Sequence, residues 1–169
     1  MKKTACLIAC LLASTVNATV LNFDDIDLQS NNYIHLTTIG ESNYGGLTWN
    51  SGWAAGDTTV SNYANAAHSG NQYLSNWGSV NNLSVDNDSP FDFAGAWFAT
   101  PTHSRPSDWI NITAFDALAN VIGTTGNINI NSTYSWVEAG FNNVSSLNIT
   151  RSSGWFVMDD FTYTTASVP

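Results

Sequence analysis

The stretch "FVMDDFTY", Phe156 to Tyr163, has the aromatic and apolar composition of a β-strand, yet it carries two carboxylates, Asp159 and Asp160, in its middle. Near the other end of the chain, "NFDDID", Asn22 to Asp27, repeats the arrangement, with Asp24 and Asp25 following Phe23. Ionised carboxylates among Phe, Val and Met side chains are costly unless hydrogen-bond donors or a cation answer them. The termini of a domain often lie close together. If the first and last strands are neighbours, all four carboxylates converge on one rim.

Working outward, the rest of the chain has the same character. Asn, Ser, Thr, Gly and aromatic residues are abundant, only 10% of residues are charged, and no helical period is sustained. Expected strands are Val20 to Ile26, Tyr33 to Ile39, Leu47 to Asn50, Gln72 to Ser75, Leu83 to Val85, Phe91 to Ala99 and Trp109 to Asp116. Further strands are expected at Ala119 to Gly123, Ile128 to Ile130, Thr133 to Ala139, Leu147 to Thr150 and Trp155 to Thr164. Turn signals separate them, among them Tyr44-Gly45-Gly46, Ser69-Gly70-Asn71 and Thr125-Gly126-Asn127. So many short strands imply a sandwich or barrel.

The first eighteen residues, "MKKTACLIACLLASTVNA", read as a signal peptide. Lys2 and Lys3 precede an apolar run, and Val16-Asn17-Ala18 fits the small-x-small cleavage rule. Cleavage after Ala18 leaves one domain, residues 19–169, destined for secretion. It also removes Cys6 and Cys10, leaving no thiol and no disulfide. Thirteen acids then face two bases, Arg105 and Arg151, a net charge of −11. That sign argues against nucleic acid and anionic lipid as partners. No later apolar run approaches the ~20 residues of a membrane span. A chain of about 150 residues buries roughly two-thirds of its unfolded surface, enough for a core without disulfides.

Taken together, "NFDD", "AHSGNQYL" (Ala67 to Leu74) and "WFVMDDFTY" (Trp155 to Tyr163) resemble the jelly-roll domains of secreted bacterial proteins, including carbohydrate-binding modules. "YGGLTW", "SPFDFAGAWFA", "ITAFDALANVIGT" and "FNNVSSLNI" extend the resemblance to the choice-of-anchor domains of PEP-CTERM proteins, over nearly all of residues 19–169. The fold this implies is an all-β jelly-roll β-sandwich of two antiparallel sheets. The resemblance also implies a structural calcium held between Asp24 or Asp25, Ser69 and Gly70, and Asp159 or Asp160. Hard oxygen donors without His or Cys suit that ion. Members carrying a sorting tail continue into a Val-Pro-Glu-Pro sequence and a membrane segment. The resemblance therefore implies either a released domain or one continued by such a tail.

Flat rings beside amides and hydroxyls suit sugars, whose C–H faces stack on aromatics. Tyr44, Trp49 and Trp53 fall within ten residues among glycines, and Trp77 lies in similar turn-rich sequence. These four are the expected glycan-binding residues. The spacing of five and four residues between the first three is not a strand period, so Trp53 is expected to face outward. Trp97, inside "FAGAWFA", is expected in the core, and Trp49 can be read the same way. His35, His68 and His103 show no ligand spacing, and His68 is expected to shape the Ser-Gly loop. No catalytic signature is present: there is no G-x-S-x-G, no H-E-x-x-H and no phosphate loop. The expected function is a secreted, non-catalytic glycan-binding module with a structural calcium. Two other readings are a structural or adhesive protein meeting cell-surface or biofilm-matrix proteins, and a jelly-roll polysaccharide hydrolase or lyase. Catalysis of that last kind would need two carboxylates about 5–9.5 Å apart across an open cleft.

Overall fold

The structure, a computed structural model, describes residues 17–59, 67–78, 81–102 and 105–165. The expected signal segment up to Val16 and His103 lie outside the described residues. Among the described residues eleven strands form: β1 (Thr19–Leu21), β2 (Tyr33–His35), β3 (Thr48–Trp49), β4 (Trp53–Asp57), β5 (Gln72–Asn76), β6 (Leu83–Ala99), β7 (Trp109–Phe115), β8 (Val121–Thr124), β9 (Ile128–Asn129), β10 (Ser135–Arg151) and β11 (Val157–Thr165). One helical turn, α1 (Leu36–Ile39), stands where the expected strand Tyr33 to Ile39 would have continued. Its Leu36 and Ile39 turn inward.

Neighbouring strands run β2-β4-β5-β11-β6-β10-β7-β8, with β1 on β11, β3 on β6 and β9 on β7, and every pairing between these strands is antiparallel. The fold is an all-β jelly-roll sandwich whose two layers are stitched into one hydrogen-bonded path. The stitches are the long strands. In β6, Leu83 to Asp86 pair with β10 near Ile149 to Ser146 and with β3, whereas Phe91 to Ala99 pair with β11 as well as the start of β10. In β10, Ser146 to Arg151 turn their other edge to β7. Register shifts between Glu138 and Ser146 let β10 bend between the layers. Reading these as four separate strands hid the continuity. Polar residues such as Asn87-Asp88 and Asn142-Asn143 look like turns, but here they cross bends within a strand.

Both layers face one core. Trp49 on β3 meets Trp53 on β4 at 5.4 Å and Phe161 on β11 at 5.3 Å, both edge-on, the geometry that ring quadrupoles favour. Phe23, turned inward with φ of 63°, adds a further edge contact to Trp49 at 5.8 Å. The expectation that Trp53 faces outward is corrected here: its exposure is 0% and its indole N–H donates to Ser84 O at 3.0 Å. Counting residues from Trp49 to Trp53 has no meaning for sidedness, because a turn at Asn50 to Gly52 puts the two rings on different strands. Trp49, at 1%, is likewise core and donates to Tyr44 O at 2.9 Å. β4 itself was not foreseen, because "WAAGD" is buried on both faces from Trp53 to Gly56 and shows no alternation.

Removing a filled ring leaves a cavity and takes from Ser84 O one of its two donors, the other being Asn50 N–H at 3.2 Å. Trp53→Ala is expected to destabilise the fold by about 3–5 kcal/mol in chemical denaturation. A loss below ~1 kcal/mol would contradict the burial described.

Candidate functional site

The two Asp doublets are answered by backbone N–H groups and by side-chain donors. β11 carries a bulge at Asp159-Asp160, where Asp160 takes φ of 48° and the register to β6 shifts between Asp159 and Thr162. Asp tolerates this left-handed conformation better than most residues. The extra residue lets Met158 and Phe161 both reach the main core while the two carboxylates turn to the loop before β5. Asp159 Oδ2 accepts the backbone N–H groups of His68 at 2.7 Å and Ser69 at 2.8 Å, and its Oδ1 accepts the N–H of Asp160 at 2.7 Å. Asp160 accepts the Ser69 hydroxyl at 2.6 Å and the His68 Nδ1–H at 2.6 Å. From the other side Asp24 Oδ1 accepts the N–H groups of Asn71 at 2.7 Å and Gln72 at 2.9 Å. Gly70, with φ of 54°, admits this approach: a Cβ there would overlap the Asp24 carboxylate.

Five of the six residues expected around a calcium, Asp24, Ser69, Gly70, Asp159 and Asp160, therefore meet at one loop, and β1 pairs with β11 as expected. Asp25 does not join them; it accepts the Tyr44 hydroxyl. Desolvation, with Asp25 as acceptor, pushes the Tyr44 phenol up. Every oxygen of Asp24, Asp159 and Asp160 accepts a hydrogen bond. Among the described residues no group of three His, Cys, Asp or Glu side chains is arranged to hold a metal ion. A cation here would have to replace some of those donors.

The same sheet presents an aromatic surface away from the main core. Residues directly opposite on paired strands share a face, so Tyr33, Gly56 and Tyr73 line up across β2, β4 and β5, and Asp159, Trp97 and Trp136 across β11, β6 and β10. Tyr73, Val157 and Ala99 form a second small cluster on this side, with Tyr33 and Tyr134 packed against it. Two strand glycines make room for rings. A Cβ on Gly56 would overlap Tyr73, and one on Gly95 would come within 2.7 Å of the Trp136 indole, which lies across it and bonds to Glu138. Trp97 and Trp136, both half-buried, stand 6.0 Å apart at 62°. His68 stacks on Trp97 at 4.0 Å and 12°. At the β2 edge Trp77, 37% exposed, stacks on Tyr33 at 5.1 Å and touches His35 at 3.9 Å. Beside Trp136 a shallow pocket of about 260 Å³ is lined by Glu138, Asp92, Asn142 and Thr164.

Of the four expected ring ligands, then, Trp77 is exposed on this surface, Tyr44 is half-buried against Phe23, and Trp49 and Trp53 are core. Trp97, expected in the core, is instead on the outward side, because the strand it occupies is apolar on both faces. Trp136 and Tyr134 were missed altogether. The signal was present in "YSWVE", where Tyr134, Trp136 and Glu138 alternate with Ser135 and Val137 at the period of a strand.

Comparison with solved structures places this architecture. A DUF4465 family protein from Bacteroides caccae has the same fold, with a TM-score of 0.59 at 14% identity over 89% of this chain and 100% of that one. The CBM22-1 xylan-binding domain of Paenibacillus barcinonensis Xyn10C follows with a TM-score of 0.52 at 14% identity, over 93% of this chain and 99% of that one. No protein-family model matches the sequence, and no curated protein matches it. The solved structures share the fold with this chain, at identities too low to carry more.

Asp159 is the site's most perturbed carboxylate. With an exposure of 0%, desolvation pushes its pKa up to about 7, aided by the neighbouring charge of Asp160 and opposed by the N–H groups of Ser69, Asp160 and His68. The folded chain thus holds a proton that the unfolded chain, with the ordinary value of 3.8, has released. This contribution to stability is complete below about pH 4 and is lost as pH rises through about 7. In EDTA the melting temperature is expected to fall between pH 5 and pH 8, and Asp159→Asn is expected to flatten that fall. An equal fall in the variant would rule out Asp159 as its source.

Proposed function

We propose that the protein is a secreted, non-catalytic glycan-binding module that takes a neutral polysaccharide chain across the face carrying Trp97, Trp136 and Trp77. The observation that supports it most directly is the pairing of Trp97 with Trp136 in adjacent strands, half-buried and outward, beside oxygen groups on Glu138, Asp92, Asn142 and Thr164. The Trp136 ring, fixed over Gly95, offers flat apolar area at little entropic cost, while the adjoining oxygens supply partners for hydroxyls. The fold shared with a xylan-binding domain supports β-linked xylose oligomers as the first probe. The non-catalytic reading is supported by the engagement of Asp24, Asp159 and Asp160 with the loop at Ala67 to Gln72, which leaves them unlike an acid and base flanking an open cleft.

Truncating a stacking ring near the centre of the surface is expected to cost about 1–2 kcal/mol, roughly five- to thirty-fold in Kd. Isothermal titration of xylohexaose into Trp136→Ala and Trp97→Ala, with melting curves for both, is the measurement. Unchanged affinity in folded variants would remove this face from the proposal.

A structural calcium at the Ser69-Gly70 loop is the second part of the proposal. It is supported by the convergence of three carboxylates in a chain whose two arginines lie at another pocket. An ion that binds only the native state raises its melting temperature by mass action. Metal-stripped protein is expected to melt higher when calcium is added, and Asp24→Asn or Asp160→Asn to remove the increment. No increment in the stripped wild type would leave the carboxylate–N–H bonds as the loop's whole support.

A further inference from the structure

Alternation along β10 places Trp136 and Glu138 on one side of the strand, and the Trp136 indole N–H donates to Glu138 Oε2. Glu138 stands opposite Gly95 of β6, and farther along β6 Asp92 stands opposite Thr164 of β11. Asp92 falls between Phe91 and Phe93, both buried, so its own side chain turns outward. Both carboxylates line the pocket of about 260 Å³ beside Trp136, together with Asn142 and Thr164, and among the described residues no basic side chain lines it. The two arginines of residues 19–169 line a different pocket, and His68, stacked on Trp97, donates to Asp160. We propose that Glu138 and Asp92 set the specificity of this face: they turn away chains bearing a uronate and admit neutral ones, whether bare or carrying uncharged branches. The inference rests on the reading of the face as a glycan-binding surface.

Both carboxylates are held in place. The indole N–H fixes Glu138, and Asp92 Oδ1 accepts the N–H of Asn143 at 2.8 Å, where Asn143 takes φ of 58° in the irregular stretch of β10. The Trp136 ring itself lies across Gly95, where a Cβ would come within 2.7 Å of it. A sugar stacked on that ring is therefore set down beside two fixed negative charges. To a hydroxyl, an ionised carboxylate is a strong acceptor. To another carboxylate it is a like charge, and such a penalty separates two ligands without adding affinity for either. Glu138 is exposed and Asp92 half-buried, so solvent ions reach both. With a Debye length of ~10 Å at 0.1 M salt, the discrimination is expected to shrink as salt is raised.

Isothermal titration compares a xylo-oligosaccharide bearing one glucuronate branch with its methyl ester, which keeps the shape and removes the charge. At low ionic strength the ester is expected to bind about fivefold or more tighter than the acid. In Glu138→Gln/Asp92→Asn the ratio of the two dissociation constants is expected to fall toward one. Both substitutions are close to isosteric and keep an oxygen acceptor for the Trp136 and Asn143 N–H groups, and melting curves check that the variant is folded. Asp108→Asn, which removes one charge from an exposed position lining another pocket, is expected to leave the ratio where it was. A second arm needs no glycan. Quenching of Trp136 fluorescence, taken as the difference from Trp136→Phe, is expected to be weaker with iodide than with uncharged acrylamide. Only the iodide quenching should rise in Glu138→Gln/Asp92→Asn. If neither oligosaccharide binds, the glycan reading of the face fails, and the quenching arm alone decides whether these two acids exclude anions. A wild-type ratio of one, an unchanged ratio in the double variant, or iodide quenching indifferent to the substitutions would overturn the proposal.

Discussion

The structure depends on a single extra residue in its last strand. Without the bulge at Asp159-Asp160, strict alternation after Met158 would place Asp160 in the core and Phe161 outside it. With it, Phe161 closes on Trp49 and Phe93, and both carboxylates are free to take the loop that enters β5. Buried backbone N–H groups need acceptors, and charged acceptors serve them more strongly than neutral ones. Desolvating Asp159 is the cost, and the three N–H groups around it are the compensation. The result positions His68 on the ring of Trp97, so the latch and the aromatic surface share a residue.

Much of this was legible in the sequence, in uneven parts. Turn chemistry and strand composition marked most strands, and the two Asp doublets pointed to the pairing of the first and last described strands, whereas the loop at Ser69 and Gly70 came only from the resemblance. What composition could not supply was sidedness. Trp53 and Trp97 exchanged roles because sidedness depends on register across a turn and on pairing with β10, neither of which is local. β4 escaped notice because it is covered on both faces, and α1 because a single turn has no period to read. Arg105 and Arg151, read in the sequence only as the two bases of residues 19–169, line one pocket in the fold.

Glycine has a particular use in this sheet. Gly56 and Gly95 sit within strands, where the missing side chain weakens packing and costs entropy. Both are roofed by rings from the adjacent strand, Tyr73 over one and the Trp136 indole over the other. Of the outward rings, Trp136 therefore lies over backbone, whereas Trp97 is inclined to it by 62°.

The place of β11 in the sheet has a consequence for assembly order. It lies between β5 and β6 and also holds β1, yet it is the last of the eleven strands to leave a ribosome. Until then β5 and β6 each present an open edge, and the contacts that seal the domain join residues 91 apart at His68 and Asp159 and 118 apart at Gly45 and Tyr163. Closing such wide loops is slow compared with local pairing. In the sheet the β2-β4-β5 group is joined by strand pairing to the β6-β10-β7-β8 group through β11, with contacts such as Trp53 N–H to Ser84 O beside it, so inserting the final strand completes a single hydrogen-bonded path.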